Sequence, residues 1–105
     1  MADDRIEKIK SAIEAADHIP AEQKAKLLGL IASLDPVIAK FAETHDEHAQ
    51  RIAGLVEAST QEAAPERRES LLDELKQSVE EFEGSHPRLV SFVTEYSAFL
   101  SALGI

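Results

Sequence analysis

Nine positions of this chain, Leu27, Ile31, Leu34, Ile38, Phe41, His45, His48, Ile52 and Leu55, follow one another at steps of four and three residues without a slip. At 3.6 residues per turn an α-helix brings all nine to one side, whereas a strand would scatter them over both faces. Read as heptads, Ile31, Ile38, His45 and Ile52 are a positions, and Leu27, Leu34, Phe41, His48 and Leu55 are d positions. A stripe of this kind must be covered by other helices. The expectation is therefore an all-α fold, an antiparallel helical bundle of four or five helices with coiled-coil-like seams. At 105 residues it forms one helical domain over 1–105. Asp35-Pro36 lies inside the stripe. Proline there removes a backbone hydrogen bond and crowds the preceding turn, while Asp35 as N-cap and Pro36 at the first helical position suit a new helix. The unbroken seam favours a kink over a clean break into 20–34 and 36–60.

The flanking segments are helical too. Asp3 can cap a first helix whose Ile6, Ile9, Ile13 and Ala16 share a face, and Asp17-His18-Ile19 before Pro20 ends it. From Ser59 to Glu66 the pattern lapses, and Ala63-Ala64-Pro65 marks a linker. A fourth helix carries Leu72, Leu75, Val79 and Phe82 and stops at Gly84, a candidate left-handed residue. The last helix, Pro87 to Leu103, has a single base, Arg88, and a single acid, Glu95. Leu89, Phe92, Tyr96, Phe99 and Leu103 form its stripe, and Val90, Val93 and Leu100 widen it. Ser91, Thr94, Ala98 and Ser101 make up a small-residue remainder. A helix this apolar is either the centre of the bundle or a subunit interface. Leu89, Phe92, Val93, Tyr96, Phe99 and Leu100 are the candidate interface residues, with the Ile38–Ile52 seam second. Gly104-Ile105 reads as a Schellman ending.

Twenty acids against eleven bases leave a net charge of −9. Nucleic acid and anionic lipid are bound by displacing counterions with Lys and Arg, so neither is an expected partner. The acidic surface serves solubility, or a role as decoy for a basic partner. With no cysteine there are no disulfides, thiolate zinc sites or iron–sulfur clusters. Met1-Ala2-Asp3-Asp4 has neither the basic nor the apolar part of a signal peptide, and no apolar run is long enough to span a bilayer, so a cytoplasmic location is expected.

Two histidines stand where the seam calls for Ile and Leu. His45 and His48, three residues apart on a helix, can share a metal, or four can meet across a two-fold dimer. They can also act as a pH switch, or be core-edge imidazoles hydrogen-bonded to a neighbour. The His-Asp-Glu-His order differs from the His-Glu-x-x-His of metalloproteases. His86, before Pro87, is placed to cap or brace a helix junction, and His18 reads as a loop residue. There is no phosphate loop, no Gly-x-Ser-x-Gly elbow and no di-iron Glu-x-x-His repeat, and Tyr96 lies on an apolar stripe. No catalytic residue and no cofactor is expected.

Glu80, Phe82, Glu83, His86, Pro87, Leu89, Gly104 and Ile105 set out an acidic helix, a Phe-Glu-x-x-His-Pro-x-Leu junction and a final helix closing on Gly-Ile. In this the stretch 79–105 resembles a family of small acidic bacterial proteins, domain of unknown function 4404. Pro20-Ala21-Glu22 opening an amphipathic helix is a further match. The resemblance implies a helical fold and a bacterial origin, and brings no activity. The function expected from the sequence is non-enzymatic protein–protein association, most simply as a homodimer. The alternatives are a metal- or pH-responsive protein using His45 and His48, and an acidic decoy.

Overall fold

The computed structural model describes residues 3–103, and every regular element among them is an α-helix. α1 spans Asp4–Ala15, α2 Ala21–Ala42, α3 Asp46–Gln61, α4 Pro65–Glu80 and α5 Pro87–Leu103. Asp3 caps α1 as its residue type predicts: its carboxylate accepts the Arg5 N–H at 2.9 Å. The Arg5 guanidinium closes on the same carboxylate at 3.0 Å and holds that carboxyl below the usual carboxylate range. Ile6, Ile9 and Ile13 then turn inward, fully buried.

α2 runs without interruption through Pro36. The continuity that the unbroken seam favoured thus holds and the alternative of a clean break at Asp35-Pro36 does not, because Asp35 does not cap a new helix; its Oδ1 accepts the Asp3 N–H at 3.4 Å instead. The real corner comes later, at residues 43–45. The amides of Glu43, Thr44 and His45 fold back onto the carbonyls of Lys40 and Phe41, at 2.9–3.3 Å. His45 takes the N-cap position of α3 with φ −137° and ψ 57°, outside the helical region. Asp46 and Glu47 follow in the first turn, where carboxylates favour the positive end of the helix dipole.

α3 persists through Ser59 and Thr60, and the linker shrinks to residues 62–64. Pro65, expected within the linker, opens α4 at its first turn, where the missing N–H is no loss. At the other end of α4 the expected left-handed Gly84 is also corrected, since no glycine among the described residues has a positive φ. The turn stays right-handed, with Phe82 N–H on the Val79 carbonyl at 2.9 Å and His86 N–H on the Phe82 carbonyl at 2.7 Å. The Gly104-Ile105 ending lies outside the described residues.

Neighbouring helices are α1 and α2, α1 and α3, α2 and α3, α2 and α5, α3 and α4, and α4 and α5. This pattern is two layers, α1–α3–α4 over α2–α5, and the molecule measures 35 × 29 × 18 Å, two helices deep. Sequence neighbours run antiparallel. α1 and α3 are parallel, since Arg5 meets Asp46 at 3.3 Å near both starts and Ala15 and Gln61 line one cleft near both ends. The core between the layers is built from Leu27, Ile31, Leu34 and Ile38 of α2 against Ile6, Ile9, Ile52, Leu72 and Leu75. No helix among the described residues is long and apolar enough to cross a membrane.

Candidate functional site

The stripe of α5 faces inward. Leu89, Phe92, Val93, Tyr96 and Leu100 are all buried by the chain's own helices, and of the six candidate interface residues only Phe99 stays half-buried. A side chain covered within one chain has little surface to give a second, so the stripe of α5 belongs to the core of this chain, while α5 itself packs on α2 and α4 with its opposite side open. Ile38 and Ile52 are likewise fully buried.

Tyr96 anchors this helix. Its hydroxyl donates to the Val56 carbonyl at 2.8 Å and lies 2.8 Å from Thr60 Oγ1 and 2.6 Å from Ser59 Oγ. Ser59 is also within 2.9 Å of the same carbonyl. Burial pushes the Tyr96 hydroxyl up to about 12, partly offset by the hydrogen bonds of Ser59 and Thr60 and by the Arg68 cation. Ser59, Thr60 and Arg68 were not foreseen as buried. The signal was spacing: Val56, Ser59 and Thr60 continue the inward face of α3, and Arg68 stands four residues before Leu72. Arg68 is 4 % exposed, its Nε has no partner, and its Nη1 reaches the Glu62 carbonyl only at 3.5 Å.

With the apolar stripe inside, the outer side of α5 is Ser91, Thr94, Ala98 and Ala102, all exposed. The outer side of its neighbour α2 is alike, with Ala21, Ala25, Gly29, Ala32, Pro36 and Ala39 exposed beside the equally exposed Glu22, Lys26, Ser33 and Lys40. Charges on these two helices are Lys24, Lys26, Lys40 and Arg88 against Glu22, Asp35 and Glu95, a net +1. Seventeen of the twenty acids and seven of the eleven bases therefore lie elsewhere. The chain has one nearly neutral wall of small side chains and a strongly acidic remainder.

The second feature is a corner where four segments meet. Phe41, at the end of α2, stacks on His45 at a centroid distance of 4.9 Å and an interplanar angle of 9°. Phe82 and His86 meet Phe41 edge-on at 4.8 and 4.9 Å. His48 lies edge-on to Phe82 at 5.2 Å. His45 thus stands 6.3 Å from His48 and 5.6 Å from His86, by ring centroids. The expectation that His45 and His48 occupy one buried seam is corrected, because the seam ends at Phe41 and resumes on a different helix. His45 is half-buried with Nδ1 2.7 Å from Thr44 Oγ1, and His48 is exposed with Nε2 3.4 Å from Glu81 Oε1. At the α4–α5 junction it is the backbone carbonyl of His86 that accepts from Leu89 and Val90, at 3.2 and 3.4 Å, while its ring packs edge-on against Phe41. Among the described residues no group of three or more His, Asp or Glu is placed to hold a metal ion.

No family model matches the chain, and no curated protein or solved structure matches it, so the likeness of residues 79–105 to the unknown-function family rests on the quoted residues alone.

Proposed function

We propose that the protein is a non-enzymatic helical interaction module that self-associates through the outer wall of α2 and α5. The observation that supports this reading is the segregation of charge. Two copies of a chain with net charge −9 repel, and least so where the facing surfaces carry the fewest carboxylates. The α2–α5 wall is such a surface. The other layer lies about 8–10 Å behind it, comparable with the roughly 8 Å Debye length at physiological ionic strength.

Size sets the strength. α2 has 22 residues, so the wall is about 33 Å long and, at two helix diameters, about 20 Å wide. The flat area, roughly 600 Å², falls short of the ~800 Å² per partner of standard interfaces. Association is accordingly in the micromolar range or weaker, and it is two-fold, since one wall meets its own copy.

Sedimentation equilibrium tests this. Wild type should shift from monomer to dimer across about 10–500 µM. Ala25→Glu and Ala98→Glu, both at exposed positions, should hold the protein monomeric with unchanged helical circular dichroism, and Gln77→Glu on α4 should leave the dimer intact. A wild type that stays monomeric throughout, or a dimer broken by Gln77→Glu and spared by the wall substitutions, refutes the reading.

A further inference from the structure

We propose that the cleft formed where the C-terminal third of α2 meets the N-terminus of α5 binds a small organic monoanion, a carboxylate on a short apolar body, between Lys40 and Arg88. The cleft encloses about 470 Å³, within the range of small-molecule sites. Its walls are Pro36, Val37 and Lys40 from one side and Ser85 through Leu89 from the other.

Three properties select the ligand. The first is sign. Four other surface clefts each include at least one carboxylate: Asp3, Asp4 and Glu57; Glu7 and Glu57; Asp17; Glu74 and Glu81. This cleft has none, although acids outnumber bases almost two to one in the chain. Lys40 and Arg88 form no ion pair among the described residues. His86 adds a ring nitrogen able to share a hydrogen bond, and Ser85 a hydroxyl. α5 also has no acid in its first turn, so the positive end of its dipole is not neutralised by its own side chains.

The second property is the floor. Pro36 and Pro87 are exposed and Val37 is half-buried along the cleft, so part of its lining is hydrocarbon open to water. A bare inorganic anion would leave that surface wet, whereas a chain of a few methylenes would cover it. The third is charge number. The ligand must approach a chain of net charge −9, and each further negative charge on it multiplies that repulsion while the cleft offers only two permanent cations. Planar guanidinium geometry matches one carboxylate. A free aliphatic acid and the C-terminal carboxylate of a peptide present this chemistry equally. The cleft lies at the far end of the wall from Ala25 and Ala98, so the proposal does not depend on self-association.

The test is ¹H–¹⁵N chemical-shift titration of the full chain at pH 7 and low micromolar concentration, with four probes: hexanoate, N-acetyl-leucine, hexanol and inorganic phosphate. Saturable amide shifts at residues 37–40, 85, 86, 88 and 89 are expected for hexanoate, N-acetyl-leucine or both, with Kd about 1 mM. Whichever acid binds more tightly identifies the source. Arg88→Gln and Lys40→Gln, at exposed positions, should each weaken binding by about fivefold, while Lys26→Gln changes nothing. Hexanol binding as tightly as hexanoate, phosphate binding more tightly than both acids, Lys26→Gln weakening binding as much as Arg88→Gln, or no saturable shift by about 50 mM would each overturn the proposal.

Discussion

Tyr96 is the only tyrosine in a chain without tryptophan, so its ionisation can be read by itself from tyrosinate absorbance. In the fold its hydroxyl is fully buried, hydrogen-bonded to Val56, Ser59 and Thr60, and pushed up to about 12. An unfolded tyrosine ionises near 10. Between those values the native chain holds a proton that the unfolded chain has lost, so stability falls as pH rises. The contribution is fully present below about pH 10 and gone above about pH 12, roughly 2.7 kcal/mol in all and about 1.4 kcal/mol by pH 11. Tyr96→Phe removes this dependence together with the hydrogen bonds. Its cost at pH 8 is about 1–2 kcal/mol, less than three full bonds, because Ser59 keeps the Val56 carbonyl as an acceptor at 2.9 Å. Wild type should thus be the more stable protein at pH 8, and the two should cross near pH 11. Urea unfolding followed by circular dichroism gives the difference, and absorbance at 295 nm on wild type gives the ionisation. Tyrosinate appearing with an ordinary midpoint near 10 while the helical signal is intact would refute the buried, bonded hydroxyl.

Two further predictions concern polar and backbone irregularities. Arg68→Met should leave stability unchanged or raise it by about 1 kcal/mol, because it replaces a buried cation whose Nε lacks a partner; a loss above about 2 kcal/mol in chemical denaturation would show the cation to be satisfied. Pro36→Ala should raise stability by about 1–2 kcal/mol by restoring the N–H that α2 lacks at mid-helix; a lower denaturation midpoint would mean that Pro36 starts a helix.

The parts of the fold that could be read from the chain were those where local chemistry and tertiary burial agree. Asp3 before Ile6, Ile9 and Ile13, and Pro87 before an apolar run ending at Leu103, give α1 and α5 almost to the residue. The corner at 43–45 was hidden because its two flanking helices face the same core. Phe41 and Ile52 both point inward, and the intervening histidines fall by register on heptad positions, so the pattern reads straight through a turn. Glu43-Thr44 supplies no proline or glycine to betray it, and Asp46-Glu47 in a first turn was the faint cue. Ser59 and Thr60 sit at inward-facing spacing on α3, but their polar side chains masked it, because the hydroxyl that satisfies them is more than thirty residues away, on Tyr96. The histidine corner was half legible, since His45, His48 and His86 each stood out, but their convergence on Phe41 and Phe82 needed the helix order.

The linker at residues 62–64 carries little of what joins the two parts of the chain. α4 and α5 lie against α3 and α2, and the Tyr96 hydroxyl is tied to Val56 on the far side of the linker. A protease cutting between the exposed Ala63 and Ala64 would sever one covalent bond and leave these contacts in place. The nicked protein would hold together as a two-piece complex whose melting depends on its concentration. The same short segment, with its bonds so few, is where natural insertions could lengthen the chain and leave the two layers undisturbed.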